Sequence, residues 1–285
     1  MGQIIDGKNI SKLIRSEIKD RTAAFTDRYG HEPKLAVILV GEDPASKIYV
    51  SNKHKACLQT GIGSIVIEMS EDTEETVLID KIKELNEDST VNGILVQLPL
   101  PKHLNEKKII EYIDPRKDVD GLTLANSALL YNGNTDCLAP CTPRGVIEIL
   151  KKEGIKISGK HAVIVGRSML VGKPLAMLLL NENATVTVCH SRTEDLGAVT
   201  RTADILISAV GRPGLVKSED VKDGATVIDV GTTRVDGKLR GDVDFDSVFE
   251  KDVRITPVPG GVGPMTITML LMNTLQAAEM QEEER

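Results

Sequence analysis

The sequence predicts an α/β fold with parallel sheets, built as two successive α/β halves. Three observations carry this prediction. Short apolar runs such as Lys34–Val40 and His161–Val165 alternate with segments of helical spacing. Gly, Pro and Asn punctuate the joins, as in βαβ units. The chain has 285 residues, enough for two domains or one large one.

In the first half, Ile10, Leu13, Ile14 and Ile18 recur at helical spacing. Lys34–Val40 is a buried strand ending at Gly41, and Asp43-Pro44 opens a helix that Gly61 stops. Ser64–Glu68 is a second strand, and Thr73–Asn86 a helix with Val77, Leu78, Ile82 and Leu85 on its apolar side. Gly93–Gln97 is a third strand running into Leu98-Pro99-Leu100-Pro101, and Asn105–Ile113 is a short helix before Asp114-Pro115. Asp118 to Pro143, richer in Gly, Asn and Pro, reads as the crossing between halves. In the second half, Thr142-Pro143 opens a helix with Val146, Ile149 and Leu150 on one side. Strands follow at His161–Val165, Thr185–Val188, Asp204–Ser208 and Thr226–Val230. Asp236-Gly237 marks a hairpin turn. Ile255–Val258 leads into a Gly/Pro loop, then a last helix from about Met265 to Met280, with the tail QEEER fraying into solvent.

Composition narrows the function classes. Hydrophobic residues at 41% and charged residues at 27% exclude a disordered or collagenous chain. Lys+Arg number 35 against 42 Asp+Glu, a net charge of −7, so no basic footprint for nucleic acid is expected. With 2% aromatics and no Trp, a base-stacking platform is not expected either. The four cysteines, Cys57, Cys137, Cys141 and Cys189, form no C-x-x-C pair and read as free thiols of a cytoplasmic protein. MGQIIDGKNISKLI lacks the pattern of a signal peptide, and Asp6 stands where myristoylation wants Ser or Thr. No apolar run is long enough for a membrane span.

Four segments carry candidate chemistry. In HAVIVGRSMLVGKPLAMLLL a buried strand ends at Gly166, and a helix opens near Gly172-Lys173-Pro174. Such a turn offers free backbone N–H groups and a helix dipole to a pyrophosphate. The dinucleotide fingerprint is not matched, since Ser168 and Val171 stand at its second and third glycines; the Walker A spacing also misses. An ordinary strand–loop–helix accounts for the segment as well as a nucleotide loop does. The next strand ends in Cys189-His190-Ser191-Arg192-Thr193, with no carboxylate for ribose hydroxyls. Ser191, Arg192 and Arg167 suit a 2′-phosphate, which favours NADP over NAD.

In ASKIYVSNKHK, at roughly 100° per residue, Ser46, Tyr49 and Lys53 share one helix face. A Tyr–Lys pair can share a proton, and a lysine near other cations serves acid–base work. The same pattern fits a surface helix on which Tyr packs and Lys extends. Gln97 ends its strand where ligands of parallel sheets sit. Asp118 and Asp120 flank Val119; a carboxylate there holds an amino-pyrimidinone edge or caps a helix. PVPGGVGPMT is a shaped loop whose backbone can approach a flat ligand. Neither a metal site nor a Ser-His-Asp arrangement is expected.

Taken together and in order, ASKIYVSNKHKA, GILVQLPLP, KDVDGL, PCTPRGV, VGRSMLVGKP and PVPGGVGPMT resemble the bifunctional methylenetetrahydrofolate dehydrogenase/methenyltetrahydrofolate cyclohydrolase family. The resemblance runs from residue 1 to about 280. It implies two α/β domains with a cleft between them: 1–139 with 266–285 for folate and catalysis, and 140–265 as a Rossmann-type NADP-binding domain. It implies oxidation of 5,10-methylenetetrahydrofolate with NADP⁺, then hydrolysis of the methenyl product to 10-formyltetrahydrofolate. Lys53, Tyr49, Gln97 and Asp120 stand at its catalytic and folate positions: Lys53 with Tyr49 for proton transfer, Gln97 orienting, Asp120 on the pterin. Leu98, Pro99, Pro259, Gly260, Gly261 and Gly263 would line the substrate pocket. Gly166, Arg167 and Ser168 match the pyrophosphate loop, Ser191 the 2′-phosphate contact, and Thr232 a nicotinamide-side position. Arg192 stands where other members carry Lys, and keeps the charge. A homodimer is implied. The rivals are another NADP-linked oxidoreductase, a nucleotide-sensing module without turnover, and a dehydrogenase with weak cyclohydrolase activity. KDVDG and PGGVGP speak against the first, and Lys53 with Gln97 against the second.

Overall fold

The computed structural model describes residues 1–134 and 136–284. Its first elements are β1 (Gln3–Ile4), α1 (Gly7–Tyr29), β2 (Lys34–Val40), α2 (Pro44–Gln59), β3 (Gly63–Met69), α3 (Glu75–Glu87) and β4 (Gly93–Val96). Then come α4 (Glu106–Ile110), α5 (Leu124–Tyr131), α6 (Cys141–Lys152), β5 (His161–Val165), α7 (Gly172–Asn181), β6 (Thr185–Cys189), α8 (Leu196–Thr200) and β7 (Ile205–Ser208). After a short 3-10 turn at Ser218–Asp220 the chain forms β8 (Thr226–Asp229), β9 (Thr233–Val235), β10 (Lys238–Arg240), α9 (Phe245–Phe249), β11 (Arg254–Ile255) and α10 (Gly263–Glu283). It divides into two compact units, one of Leu13–Cys141 with Ile267–Arg285, the other of Met1–Lys12 with Thr142–Thr266.

The first unit holds a three-stranded parallel sheet in the order β3-β2-β4. β2 is central and therefore apolar on both faces, with six of its seven residues buried. Ala36, Ile38, Val40, Ile94 and Val96 pack against Leu78, Ile82 and Leu85 of α3 and Ile109 of α4. Val77, expected on the apolar side of α3, is exposed, because the buried stripe runs through Leu78, Ile79, Ile82 and Leu85. α2 starts where Asp43-Pro44 predicts: the Asp43 carboxylate accepts from Ser46 N at 2.8 Å, and Pro44 occupies the first turn.

The stretch expected as a crossing contains a helix of its own. Thr123 caps α5, its Oγ1 accepting from Asn126 N at 3.3 Å. Buried Asp118 accepts from Leu122 N, Thr123 N and Thr123 Oγ1 at 3.1, 2.8 and 2.8 Å, and from Asn126 Nδ2 at 3.0 Å. Buried Lys117 donates its Nζ to Leu85 O, Asn86 O and Asp88 O at 3.0, 2.8 and 2.8 Å, closing the C-terminus of α3. α10 continues past Met280 to Glu283, so the tail is helical rather than frayed there. Gln281 anchors it by donating to Asn92 O at 2.9 Å and Arg116 O at 3.0 Å.

The second unit holds a six-stranded parallel sheet in the order β1-β11-β8-β7-β5-β6. From β5 the chain moves to β6 on one side, then returns to β7 on the other. The carboxyl ends of β5 and β7, where the strand order reverses, are the place where ligands bind in sheets of this kind. Gln3 and Ile4 pair with Arg254 and Ile255, so β1 is an edge strand of this sheet and residues 1–12 pack with this unit. A two-residue strand carries no periodicity by which to assign it. The hairpin forms as read: Val235 pairs Lys238, and Asp236 and Gly237 turn with φ +49° and +76°.

A buried carboxylate pair closes the ends of β7 and β8. Asp229, 3% exposed, accepts from Gly231 N (3.0 Å) and Asp242 N (2.9 Å) on Oδ1, and from Val243 N (2.9 Å) on Oδ2. Asp242, 0% exposed, accepts from Ser208 Oγ (3.1 Å) and Val210 N (2.7 Å) on Oδ2, and from Arg212 N (2.7 Å) on Oδ1. Burial, with a smaller contribution from the Asp242 charge, outweighs the three N–H donors and lifts Asp229 from the ordinary 3.8 to about 6. The folded chain therefore holds a proton that the unfolded chain has already released. That stabilisation is complete below the unfolded value of 3.8 and is lost as pH rises through about 6. Asp229→Asn removes this titration. Between about pH 4 and pH 7 the stability of the native chain relative to the variant is expected to fall by up to about 3 kcal/mol. Denaturant midpoints of both proteins across that range check it; a constant difference would contradict it.

Candidate active site

The sequence motifs of the first unit converge at the carboxyl end of its sheet. β4 ends at Val96, and Gln97 follows with its backbone N still bonded to Ile38 O of β2 at 2.9 Å. This fixes the Gln97 side chain, which is 9% exposed. Its Oε1 accepts from Lys53 Nζ of α2 at 2.9 Å, and its Nε2 donates to Leu98 O at 2.5 Å. The amide is thereby held in one orientation, with Lys53 on its oxygen. Tyr49, one turn earlier on α2, is 56% exposed, and its hydroxyl has no hydrogen-bond partner among the described residues. Tyr49 shares the helix face of Lys53, as its spacing predicts, while the hydrogen bond of Lys53 goes to Gln97, the residue expected to orient it. Leu98 is half-buried and Pro99 exposed at the rim beside it.

Asp118 and Asp120 have separate tasks. Asp118 is consumed by α5, as above, whereas Asp120 lies within the electrostatic reach of Lys53. Burial raises the Asp120 carboxyl above its ordinary range; the Lys53 charge pulls it down, the Asp118 charge pushes it up, and a hydrogen bond with Cys141 lowers it. A carboxylate, an amide and an amine thus share one end of the sheet. They provide an acceptor for ring N–H groups, an orienting dipole, and a group able to move a proton.

Two residues absent from the sequence reading support this cluster. Buried Asn273 of α10 donates Nδ2 to Val119 O at 2.7 Å and Ala139 O at 2.9 Å, and lies 3.6 Å from Cys141 Sγ. Lys117 anchors the segment from the other side. A lone Asn in an apolar helix and a Lys in a charged run give no signal before folding. The Cys141 thiol donates to Val119 O at 3.4 Å, a packing role. Cys57, beneath Lys53 on α2, is pushed by burial to about 12 and is no nucleophile. All four cysteines are buried thiols outside any disulfide.

In the second unit, the loop after β5 is a close-packed cradle. Gly166 has φ +128°, and a Cβ there would lie 2.6 Å from Ala209 O. A Cβ on Gly172 would lie 2.2 Å from Gly166 O, so the loop closes tightly onto the start of α7. Ser168 Oγ accepts from Val171 N at 3.1 Å and Gly172 N at 3.5 Å. Arg167 and Ser168 are exposed on this loop. Gly166 N donates to Cys189 O at 2.9 Å, which ties the cradle to the end of β6. There the turn 190–193 is closed by His190 N to Thr193 Oγ1 at 2.8 Å, leaving Ser191 and Arg192 exposed. A cradle that Cβ atoms would fill, a ten-residue helix behind it, and guanidiniums at two adjacent strand ends fit a dinucleotide phosphate set. Thr232 is exposed beyond β8.

The PVPGGVGP loop divides. Pro259 and Gly263 are exposed and Gly260 half-buried, whereas Gly261 is buried. A Cβ on Gly261 would lie 2.6 Å from Pro257 O, and one on Gly7 would lie 2.0 Å from Gly261 O. Packing of the chain start against this loop alone demands Gly261. Among the described residues, no group of His, Cys, Asp and Glu is placed to hold a metal, and no helix is long and apolar enough to cross a membrane.

Comparison with known proteins agrees with this geometry. Residues 5–120 match the family described as tetrahydrofolate dehydrogenase/cyclohydrolase, catalytic domain, and residues 140–282 its NAD(P)-binding domain. The bifunctional protein FolD of Halothermothrix orenii is 56% identical over 278 residues, covering 97% of this chain and 98% of its own. The crystal structure of the bifunctional FolD methylenetetrahydrofolate dehydrogenase/cyclohydrolase from Campylobacter jejuni is 48% identical, with TM-score 0.96, over 99% of this chain and 100% of that one. The Trypanosoma brucei enzyme, complexed with NADP cofactor and inhibitor, is 40% identical, with TM-score 0.92, over 99% and 98%. The NAD-dependent methylenetetrahydrofolate dehydrogenase from Saccharomyces cerevisiae is 25% identical, with TM-score 0.82, over 99% and 98%. Matched along both halves, the chain belongs to the tetrahydrofolate dehydrogenase/cyclohydrolase family and is a bifunctional methylenetetrahydrofolate dehydrogenase and methenyltetrahydrofolate cyclohydrolase.

Proposed function

We propose that this enzyme oxidises 5,10-methylenetetrahydrofolate with NADP⁺ and hydrolyses the product to 10-formyltetrahydrofolate, with Lys53, Gln97 and Asp120 at the reacting folate. The observation that carries this reading is the Lys53–Gln97 hydrogen bond of 2.9 Å at a strand end that Asp120 shares electrostatically. When bound, the oxidised nicotinamide takes up hydride from the methylene carbon of the substrate. Substrate nitrogen lone pairs stabilise the methenyl cation that results, so positioning matters more than a strong base in that step.

Hydrolysis makes the larger demand on side chains. Water adds to the methenyl carbon and both its protons must leave the added oxygen, one reaching the ring nitrogen whose bond to that carbon breaks and the other passing to solvent, as the oxygen becomes the formyl oxygen. Lys53 Nζ moves these protons, Gln97 orients Lys53 and the reacting centre, and Tyr49 tunes the lysine from the same helix face. Asp120 accepts the pterin amino and ring N–H groups. Leu98, Pro99, Pro259, Gly260, Gly261 and Gly263 line the folate pocket in this reading, with Gly261 also bound to its packing role.

Gly166, Arg167 and Ser168 hold the pyrophosphate, Ser191 with Arg192 the 2′-phosphate, and Thr232 the nicotinamide side. The absence of a carboxylate in the Cys189–Thr193 segment supports NADP over NAD. The proposal includes a homodimer in the cytoplasm, as the family resemblance implies.

A coupled absorbance assay with 5,10-methylenetetrahydrofolate and either nucleotide tests the whole reading. NADPH is expected to form with little methenyl accumulation, and turnover with NAD⁺ alone would overturn the 2′-phosphate assignment. Lys53→Met is expected to lower hydrolysis of added methenyltetrahydrofolate by at least about 100-fold while NADP⁺ binding persists. A fully active variant would remove Lys53 from proton transfer. Arg167→Ala is expected to raise the NADP⁺ KM about 10-fold or more, from the loss of a charge-assisted phosphate contact, with the folate KM little changed. Equal effects on both constants would count against that contact.

A further inference from the structure

The carboxylate pair at the ends of β7 and β8 is unused by the reaction as described, yet it adjoins the nucleotide crevice. The crevice has two lips, because β6 and β7 lie on opposite sides of β5. One lip is the Gly166 cradle. The other is the segment Ala209–Arg212 that follows β7, and it packs directly on the first: Ala209 O sits against the Gly166 Cα, with the Val210 side chain beside it.

What holds this second lip comes from some thirty residues further along the chain. Asp242 accepts Val210 N on Oδ2 and Arg212 N on Oδ1, both at 2.7 Å, and takes Ser208 Oγ at 3.1 Å. Thr233 Oγ1 donates to Gly211 O at 3.1 Å. Asp242 is in turn fixed by Asp229, which accepts the Asp242 and Val243 amides. Both lip amides need an acceptor, and the two carboxylate oxygens meet them one on each side. A side-chain amide at this position has a single acceptor oxygen and would set an NH₂ against one of the two N–H groups.

We propose that Asp242 is a positioning residue for the nucleotide: by gripping the Val210 and Arg212 amides it sets the second lip of the crevice at the height the bound dinucleotide requires. The inference rests on the nucleotide reading of the Gly166 loop given above. It assigns the spacing of the crevice to a residue that touches neither phosphate nor substrate. The segment Ser208–Arg212 supplies the donors, and Asp229 keeps Asp242 in register.

Asp242→Asn separates this role from general support of the fold. The NADP⁺ KM of the dehydrogenase reaction is expected to rise at least about 10-fold, with the folate KM within twofold of the unsubstituted enzyme. Hydrolysis of methenyltetrahydrofolate without nucleotide, which depends on residues of the other unit, reports the folded fraction. A merely structural role would lower both activities together and leave the NADP⁺ KM unchanged, and that result would overturn the proposal. If the variant does not fold, Ser208→Ala, which removes only the hydroxyl donor to Asp242, is expected to raise the NADP⁺ KM about threefold; no change would overturn the proposal as well. Direct titration of the unsubstituted enzyme with NADP⁺ and with NAD⁺ tells the two readings apart. Binding of neither nucleotide sinks the nucleotide reading itself, whereas tight NADP⁺ binding with an unchanged Asp242→Asn KM sinks only the positioning role.

Discussion

The satisfaction of backbone polar groups where helices and strands end is the constraint on which the rest of this structure depends. Parallel sheets place many such ends side by side in places water does not reach, and an unpaired buried amide or carbonyl costs about 1–3 kcal/mol. In the first unit a single pentapeptide meets much of that demand. Lys117 takes three carbonyls at the close of α3, and Asp118 takes two amides, a hydroxyl and an Asn126 amide at the opening of α5. Ile94 N donates to Lys117 O at 2.7 Å, which lays the segment along β4. Asp120 is then held at the end of the sheet by neighbours that are themselves fixed.

The second unit meets the same constraint with anions. Among the described residues, N–H and O–H donors of Ser208, Val210, Arg212, Gly231, Asp242 and Val243 converge on Asp229 and Asp242, all of them backbone amides but the Ser208 hydroxyl. Burial makes the Asp229 carboxyl resist ionising, so the arrangement trades stability at neutral pH for a defined loop geometry. The cations proposed for the phosphates, Arg167 and Arg192, stay exposed at the strand ends. Charge in the interior shapes the backbone, and charge at the rim stays accessible.

The two candidate sites are built differently. Lys53 and Gln97 lie on α2 and just past the end of β4, both rigid elements, which keeps them in fixed relation. The candidate nucleotide groups proposed above lie on loops, where backbone N–H groups are accessible, and those loops are stiffened by glycine packing and by distant carboxylates.

The sequence by itself determined the parallel α/β class, most strand and helix positions and the Asp236-Gly237 turn, and it nominated the residues proposed for both candidate sites. These follow from local rules: apolar runs for strands buried on both faces, Asp-Pro and Asn at helix starts, Gly where φ must be positive. Tertiary structure decided what no local rule encodes. β1 joins the second sheet through two residues whose pairing is all backbone. α5 lies inside a stretch whose Gly and Asn content suggested a loop, and its start depends on a carboxylate five residues ahead of Thr123. Lys53 bonds Gln97, 44 residues away, a geometry no helical spacing supplies. Asp118, Asp120, Asp229 and Asp242 are alike as letters. Their different tasks are set by which donors and charges the fold gathers around each, because the properties of a buried carboxylate come from its surroundings.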